Sequence, residues 1–230
     1  MRRHSFLFTT LVAVTIAAAC LAPGIARAVQ DSDRTDSWEF AFGMRYFSSE
    51  LLTGDGGSTA DINSDIAWGI GFSYNLSETL NFGFEFTWAD ASYDATIQSA
   101  DPIPPAGFPV TIGGTLEAST AAFTGQYNFM EKTITPFVAF GLGWTWVDSN
   151  IPNGPTQGTC WWDPWYGQIC SFWQPTATED YFSYSAGVGV HAEMTEAVFI
   201  EGAYDFTWID FDNADTTDFS GLRLNIGWMF

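Results

Sequence analysis

Apolar and polar residues alternate with a period of two along most of the chain beyond Ser37. Successive side chains of a β-strand point to opposite faces, so this period predicts strands that carry one apolar face. In the first segment, Trp38 and Phe40 alternate with Glu39 and Ala41. Eight segments follow this pattern, and they begin near residues 38, 66, 80, 116, 138, 182, 198 and 221.

The two faces of these segments differ in chemistry. One face is aromatic and aliphatic and holds almost no charge, while the other is mostly glycine, alanine and serine. A soluble β-sandwich, which is the alternative fold, would show lysine and glutamate to water on its outer face. Small residues suit the inside of an eight-stranded barrel, which is only wide enough for side chains to fill it. The pattern therefore predicts that the aromatic face contacts lipid and the small face lines a lumen.

The connections between the predicted strands alternate in length. A few residues separate strands two and three, four and five, and six and seven. The connections from strand one to two, three to four and five to six are about 15 to 33 residues long. Short turns at one rim and long loops at the other are typical of outer-membrane barrels, in which the short turns face the periplasm. Residues 37–230 are therefore predicted to form an all-β, eight-stranded antiparallel transmembrane up-and-down β-barrel.

Three phrases rich in glycine and aromatic residues carry a resemblance to a known family. They are "TPFVAFGLGW" at residues 135–144, "YSAGVGVHAEMTEAVFIEGAYDFTW" at residues 184–208 and "GLRLNIGWMF" at residues 221–230. With the strand pattern, the chain resembles the OmpA/OmpX and opacity-type family of eight-stranded outer-membrane barrels. The resemblance implies outer-membrane lipids and lipopolysaccharide as partners. The terminal Phe230 resembles the signal by which the barrel-assembly machinery recognises such proteins.

The first 28 residues form a segment of a different kind. Arg2 and Arg3 precede an apolar run, and Ala26 and Ala28 form a small-x-small cleavage site, which predicts a secretory signal peptide over residues 1–28. The alternative is cleavage before Cys20, with lipid attached to that cysteine. Residues 29–36 are then a short periplasmic N-terminal segment. The expected location is the outer membrane of a Gram-negative bacterium.

The charge of the chain excludes some partners. The sequence holds 27 acidic and 7 basic residues, for a net charge of −20. Loss of the leader removes Arg2, Arg3 and Arg27 but no acidic residue, so 4 basic residues oppose 27 acidic ones and the net charge becomes −23. Nucleic acid is therefore not expected to bind. The aromatic content of 17% is too high for an acidic disordered segment.

A few charged residues fall on the small face of the predicted strands, where they would point into the lumen. A charge that faces lipid at the bilayer midplane costs about 2–4 kcal/mol, so the inward placement is favoured. We predict an ionic network there, either a gate across a narrow pore or a polar core that fills the barrel. The second interpretation is favoured because eight strands leave little room for water. The members are Glu39, Arg45, Glu85, Glu201, Asp205 and Arg223.

The third long loop contains two cysteines and a cluster of aromatic residues. Cys160 and Cys170 would meet an oxidising compartment, so they are predicted to form a disulfide that contributes about 2–3 kcal/mol. The rings form either a contact surface for sugar rings, a host surface or another protein, or a small knob packed on itself over the barrel mouth. They belong to Trp161, Trp162, Trp165, Tyr166, Phe172 and Trp173.

Residues suited to catalysis or metal binding are sparse. Some outer-membrane barrels are lipid A deacylases that use a histidine two residues before a serine, whereas here the residue two places after His191 is Glu193. The acidic run between Asp210 and Asp218 resembles a calcium loop only loosely. No catalytic residue, metal or cofactor is therefore predicted. The sequence favours a non-enzymatic outer-membrane barrel with an envelope-structural or surface-contact, adhesion-like role, and the alternative is a narrow channel for small or hydrophobic solutes.

Overall fold

The computed structural model describes residues 31–54, 57–97, 110–152, 155–173, 175–211 and 217–230. The predicted signal peptide lies outside these ranges, and so do the first two residues of the predicted N-terminal segment. These ranges contain twelve strands: β1 Trp38–Phe47, β2 Glu50–Thr53, β3 Thr59–Ile62, β4 Asp65–Asn75, β5 Leu80–Ile97, β6 Val110–Asn128, β7 Ile134–Pro152, β8 Gln157–Asp163, β9 Gly167–Trp173, β10 Thr176–Thr195, β11 Val198–Ile209 and β12 Thr217–Met229.

Eight of these strands close into a barrel. Each pairs antiparallel with its neighbours in the order β5-β4-β1-β12-β11-β10-β7-β6, and β6 pairs back onto β5. The predicted eight-stranded antiparallel barrel is confirmed. The sandwich alternative is wrong, because Phe40, Phe84 and Trp228, which two stacked sheets would bury, are 38%, 42% and 46% exposed. Within the described ranges, no helix is long and apolar enough to span a bilayer.

The two ends of the barrel differ in their connections. At the short-turn end, residues 76–79, 129–133 and 196–197 join β4 to β5, β6 to β7 and β10 to β11. The first and last barrel strands also meet here, where Trp38 and Phe230 exchange backbone hydrogen bonds of 2.9 Å. The longer connections, including β2, β3, β8 and β9, lie at the opposite, long-loop end.

The barrel strands extend further towards the long-loop end than the apolar pattern predicts. The fourth predicted strand begins near Leu116, but β6 begins at Val110 and pairs with β5 as far as Ile97. The hairpins β2–β3 and β8–β9 were not predicted as strands at all. Backbone hydrogen bonds can hold a strand pair together when apolar and polar residues do not alternate along it. The two hairpins are short and lack the sustained alternation on which the prediction rests.

The outer face of the barrel is a belt of exposed rings and aliphatic chains. Neighbouring strands place their rings against each other, as in the stacked pair Tyr184 and Trp208, whose centroids are 5.3 Å apart. Further large side chains on this belt include Phe72, Phe123, Phe140, Leu142, Trp144 and Leu224. Burial of such side chains is worth about 1.5–3 kcal/mol each, so the belt requires an apolar surrounding such as lipid.

Two glycines permit close strand contact inside the barrel. A Cβ atom at Gly221 would overlap the carbonyl oxygen of Tyr46, and one at Gly143 would overlap that of Ala121. Any larger residue at these places would push neighbouring strands apart. The small inner face predicted from the sequence thus has a direct steric cause.

Candidate functional site

Four charged side chains meet in the middle of the lumen and form the ionic cluster. Arg45 Nη2 lies 3.2 Å from Glu85 Oε1, and Arg45 Nε lies 3.4 Å from Asp205 Oδ2. Arg223 Nε lies 3.0 Å from the same Asp205 oxygen, and Arg223 Nη1 lies 3.5 Å from Glu85 Oε2. The two arginines and two carboxylates thus alternate in a closed ring of contacts.

The ionic cluster crosses the lumen and is balanced in charge. Its members come from β1, β5, β11 and β12, and each is 20% exposed or less. Removing ions from water costs several kcal/mol each, and only mutual attraction at close range offsets that cost. Each arginine faces both carboxylates, so the two positive and two negative charges of the cluster balance one another.

Glu39 and Glu201, which were predicted to belong to the same network, have their hydrogen-bond partners in a second polar cluster nearer the short-turn end. Glu39 accepts hydrogen bonds from Asn75 at 2.7 Å and from Asn81 at 3.1 Å. Glu201 accepts hydrogen bonds from Gln126 at 3.2 Å and from Asn225 at 3.1 Å, and it contacts His191. The lumen therefore holds two polar layers, and residues of both line a cavity of about 70 Å³.

His191 is part of this lower polar cluster. Its ring is buried and stacks on Phe199 with centroids 4.9 Å apart, and its Nδ1 lies 3.0 Å from Glu201 Oε1. A histidine held in this way packs the lumen and orients a carboxylate. Among the described residues, no three His, Cys, Asp or Glu side chains form a group that could hold a metal ion. Asp212 and Asp215 of the acidic run lie outside the described residues.

A buried arginine closes the short-turn end. The Arg34 side chain donates hydrogen bonds to the carbonyl oxygens of Met130 at 3.4 Å and Lys132 at 3.1 Å. Its guanidinium also lies 3.8 Å from Glu78 and 3.6 Å from Glu193. Arg34 therefore contacts residues at or beside all three short turns. Sequence reasoning missed it, because a single charge in an unpatterned segment gives no signal of its tertiary partners.

The lumen beyond the ionic cluster, towards the long-loop end, is apolar. A cavity of about 130 Å³ lies there, and we call it the upper cavity. The prediction that a polar core fills the barrel is therefore wrong for this part of the lumen. Its main apolar lining residues are Phe47, Leu52, Ile62, Leu116, Val147 and Phe219.

The β8–β9 hairpin carries the predicted disulfide, and the residues of its turn suit the backbone conformation there. Cys160 and Cys170 are cross-strand partners and form the disulfide. The Asp163 side chain accepts hydrogen bonds from the amides of Trp165 at 2.9 Å and Tyr166 at 3.0 Å. Gly167 has a φ of +77°, as the end of a three-residue loop requires. The tip is thus fixed by side-chain caps and a covalent bridge.

The aromatic side chains of this hairpin are open to the surroundings. Trp162, Trp165 and Tyr166 are 76%, 84% and 83% exposed, Phe172 is also exposed, and Trp161 is about half exposed. Trp173 pairs with Gln157 through the backbone, and its side chain lies outside the described part of the chain. Such exposure does not fit a knob whose rings cover one another.

Comparison with known proteins relates this geometry to solved structures. No protein-family model and no curated protein matches the chain. Superposition on the outer-membrane protein OprG of Pseudomonas aeruginosa gives a TM-score of 0.50 at 10% identity, covering 86% of this chain and 98% of OprG. Neisserial surface protein A gives 0.47 at 11% identity, covering 84% of this chain and 95% of that one.

The agreement with OprG covers nearly the whole of both chains. The chain has the fold of the eight-stranded outer-membrane β-barrels. At 10% identity the similarity to OprG concerns the fold alone. For an outer-membrane-type barrel, the exposed aromatic belt is the surface that lipid covers, and the short-turn end is the periplasmic one.

Proposed function

We propose that this protein is a non-enzymatic integral outer-membrane barrel of a Gram-negative bacterium that makes surface contacts through the β8–β9 hairpin. The observation that carries the proposal is the exposure of Trp162, Trp165 and Tyr166 at the tip of a hairpin closed by a disulfide. Each large apolar side chain left in water forgoes about 1.5–3 kcal/mol of burial. A binding partner that covers these rings recovers that free energy.

The residue types of the β8–β9 hairpin and its fixed conformation both suit it to binding. Trp and Tyr are the residues most enriched where binding energy concentrates at protein interfaces. The Asp163 caps and the Cys160–Cys170 bridge hold the tip in one shape, so little conformational freedom is lost on binding. The net charge of −20 disfavours nucleic acid and other polyanions. The ligand is therefore an extracellular molecule or host surface that offers apolar or sugar-ring faces.

Adherence of whole cells tests this role. Bacteria that display the protein are applied to cultured epithelial cells and to an immobilised neutral polysaccharide. We expect the double variant Trp162→Ala/Trp165→Ala to reduce adherence about tenfold or more on at least one surface, since central interface aromatics each contribute well over 1 kcal/mol. Thr159→Ala, at an exposed position on the other face of the same hairpin, is the matched control. Unchanged adherence of a correctly folded double variant contradicts the proposal.

The alternative role as a narrow channel is less well supported. The ionic cluster, the lower polar cluster and Arg34 follow one another along the lumen. Each layer obstructs a water-filled path through a barrel that is already narrow. Purified protein in a planar bilayer should therefore give no reproducible conductance steps. Regular steps in the native protein that change in Arg45→Ala would favour the channel.

An enzymatic role finds little support in the lumen. His191 is buried against Phe199 and bound to Glu201, so its Nδ1 is already engaged within the barrel. Lipid A extracted from expressing cells should keep its mass. The remaining partners we propose are outer-membrane lipids and lipopolysaccharide around the aromatic belt, and the barrel-assembly machinery at the exposed aromatic residue Phe230.

A further inference from the structure

We infer that the upper cavity is a binding site for a small, uncharged hydrophobic molecule. The cavity has a volume of about 130 Å³ and lies inside the barrel between the ionic cluster and the long loops. It is partly enclosed. The site does not involve the β8–β9 hairpin, so this inference is independent of the proposed surface contact.

The wall of the upper cavity is built from apolar side chains of several strands. Alanines at positions 89, 91 and 118 keep the centre open, where larger side chains would fill it. Leu52 of β2 and Ile62 of β3 fold over the barrel and also line the cavity, and Ile62 is buried against Ala91 and Tyr93. The β2–β3 hairpin thus forms one side of the site. The lining is that of a ligand pocket, with many apolar groups and few polar ones.

The size of the upper cavity sets the size of its ligand. A dry apolar cavity of about 150 Å³ in another protein holds benzene or xenon. The upper cavity has nearly that volume and a mainly apolar wall, to which threonines such as Thr87 and Thr207 add a few hydroxyl groups. A single aromatic ring or a short alkyl chain is therefore the largest molecule that fits without movement of the wall.

The floor of the upper cavity decides the charge of its ligand. Arg45 lines the floor but already faces Glu85 and Asp205, so it has no unbalanced charge to offer. The nearby hydroxyls of Thr120 and Thr145 bond to each other at 2.8 Å. A charged ligand would bring an unpaired ion into an apolar site, which is strongly unfavourable. The ligand is accordingly neutral, and it stops at the ionic cluster.

Fluorine NMR with fluorobenzene as the probe tests this site. The protein is reconstituted in lipid nanodiscs, and empty nanodiscs report the signal of probe dissolved in lipid. We expect a saturable bound signal that excess benzene displaces. The matching carboxylate, 4-fluorobenzoate, should bind about tenfold more weakly or less, because the floor offers no free cation.

Two substitutions on β6 separate the lumen from the lipid face. Ala118→Phe fills the upper cavity and should abolish the saturable signal. Ala121→Phe adds the same ring on the outer face, beside Trp144, and should leave the signal intact.

Leu116→Ala enlarges the cavity and should admit 4-fluoro-propylbenzene, which gives a second test if Ala118→Phe fails to fold. Absence of saturable binding in the native protein, or binding that persists in folded Ala118→Phe, overturns the inference.

Discussion

Arg223 and Asp205 face each other on neighbouring strands with 3.0 Å between Nε and Oδ2. Asp205 Oδ2 also lies 3.4 Å from Arg45 Nε, so one carboxylate oxygen joins both arginines of the ionic cluster. The cluster is therefore stable only as a whole. Loss of one member leaves each of its two partners with a single contact, and it leaves an unbalanced charge in a site from which water is largely excluded.

Replacing Asp205 by Asn should destabilise the barrel by about 3–5 kcal/mol, because both arginines lose their shared anion. Urea unfolding in lipid vesicles measures the change. Asp218→Asn makes the same chemical change at an exposed position of β12 and should stay within about 0.5 kcal/mol of the native protein. Equal stability of the two variants would show that the cluster contributes nothing to the fold.

Replacing Arg34 by Ala should release the N-terminal segment from the short-turn end. The amides of Asp36 and Ser37, which donate to Asn75 and Arg34 carbonyls at 2.9 and 3.1 Å, should exchange hydrogen about tenfold to hundredfold faster. Hydrogen exchange read by mass spectrometry measures this. Lys132→Ala removes the exposed ion pair with Asp31 and serves as the control, with little expected effect. Unchanged hydrogen exchange at Asp36 and Ser37 in Arg34→Ala would contradict the role of Arg34 in holding the N-terminal segment at the short-turn end.

Acid should also release this segment. Burial alone would raise the pKa of Glu78, but hydrogen bonds from Thr35 and from the Arg34 amide outweigh it and hold the pKa below its usual value of 4.5. A lowered pKa in the folded protein means that the stabilisation is present above the unfolded value and is lost as pH falls through the folded value.

Protection of residues 31–37 should therefore stay constant from neutral pH to about pH 5 and fall at lower pH. Glu78→Gln should remove this pH dependence, whereas Glu131→Gln, at an exposed position of the next turn, should keep it. The same exchange measurement at a series of pH values reports both. An identical acid response in Glu78→Gln would assign the effect to another group.

Removing the disulfide should affect the hairpin and spare the barrel. In Cys160→Ser/Cys170→Ser the β8–β9 pair loses about 2–3 kcal/mol of loop closure, so its tip samples other conformations. Adherence of cells should fall, while the shift between unheated and boiled samples on a detergent gel should persist. A lost gel shift would mean that the bridge supports the barrel itself.

The sequence predicts the barrel because its main evidence is local. Alternating side chains such as Phe84 and Glu85 place the belt and the lumen on opposite faces without knowledge of strand partners. The same reasoning located Arg45, Glu85, Asp205 and Arg223 on one inner face. It could not separate Glu39 and Glu201 from them, because depth along the lumen depends on strand register, which the pattern does not fix.

Two features of the lumen escaped prediction for a similar reason. The upper cavity depends on Leu116, Val147 and Ile62 converging from distant parts of the chain. Arg34 depends on partners at three separate turns. Long-range contacts of this kind follow from topology and not from local pattern.

Site-directed spin labelling along β6 tests the central claim, a closed barrel with its aromatic face in lipid. Single cysteines are placed from Ala121 to Tyr127 in a Cys160→Ser/Cys170→Ser background and labelled in vesicles. Oxygen, which concentrates in lipid, should reach labels at 121, 123, 125 and 127 far better than those at 122, 124 and 126. Preferential access of a water-soluble nickel reagent to the odd positions, or no alternation at all, would contradict the account.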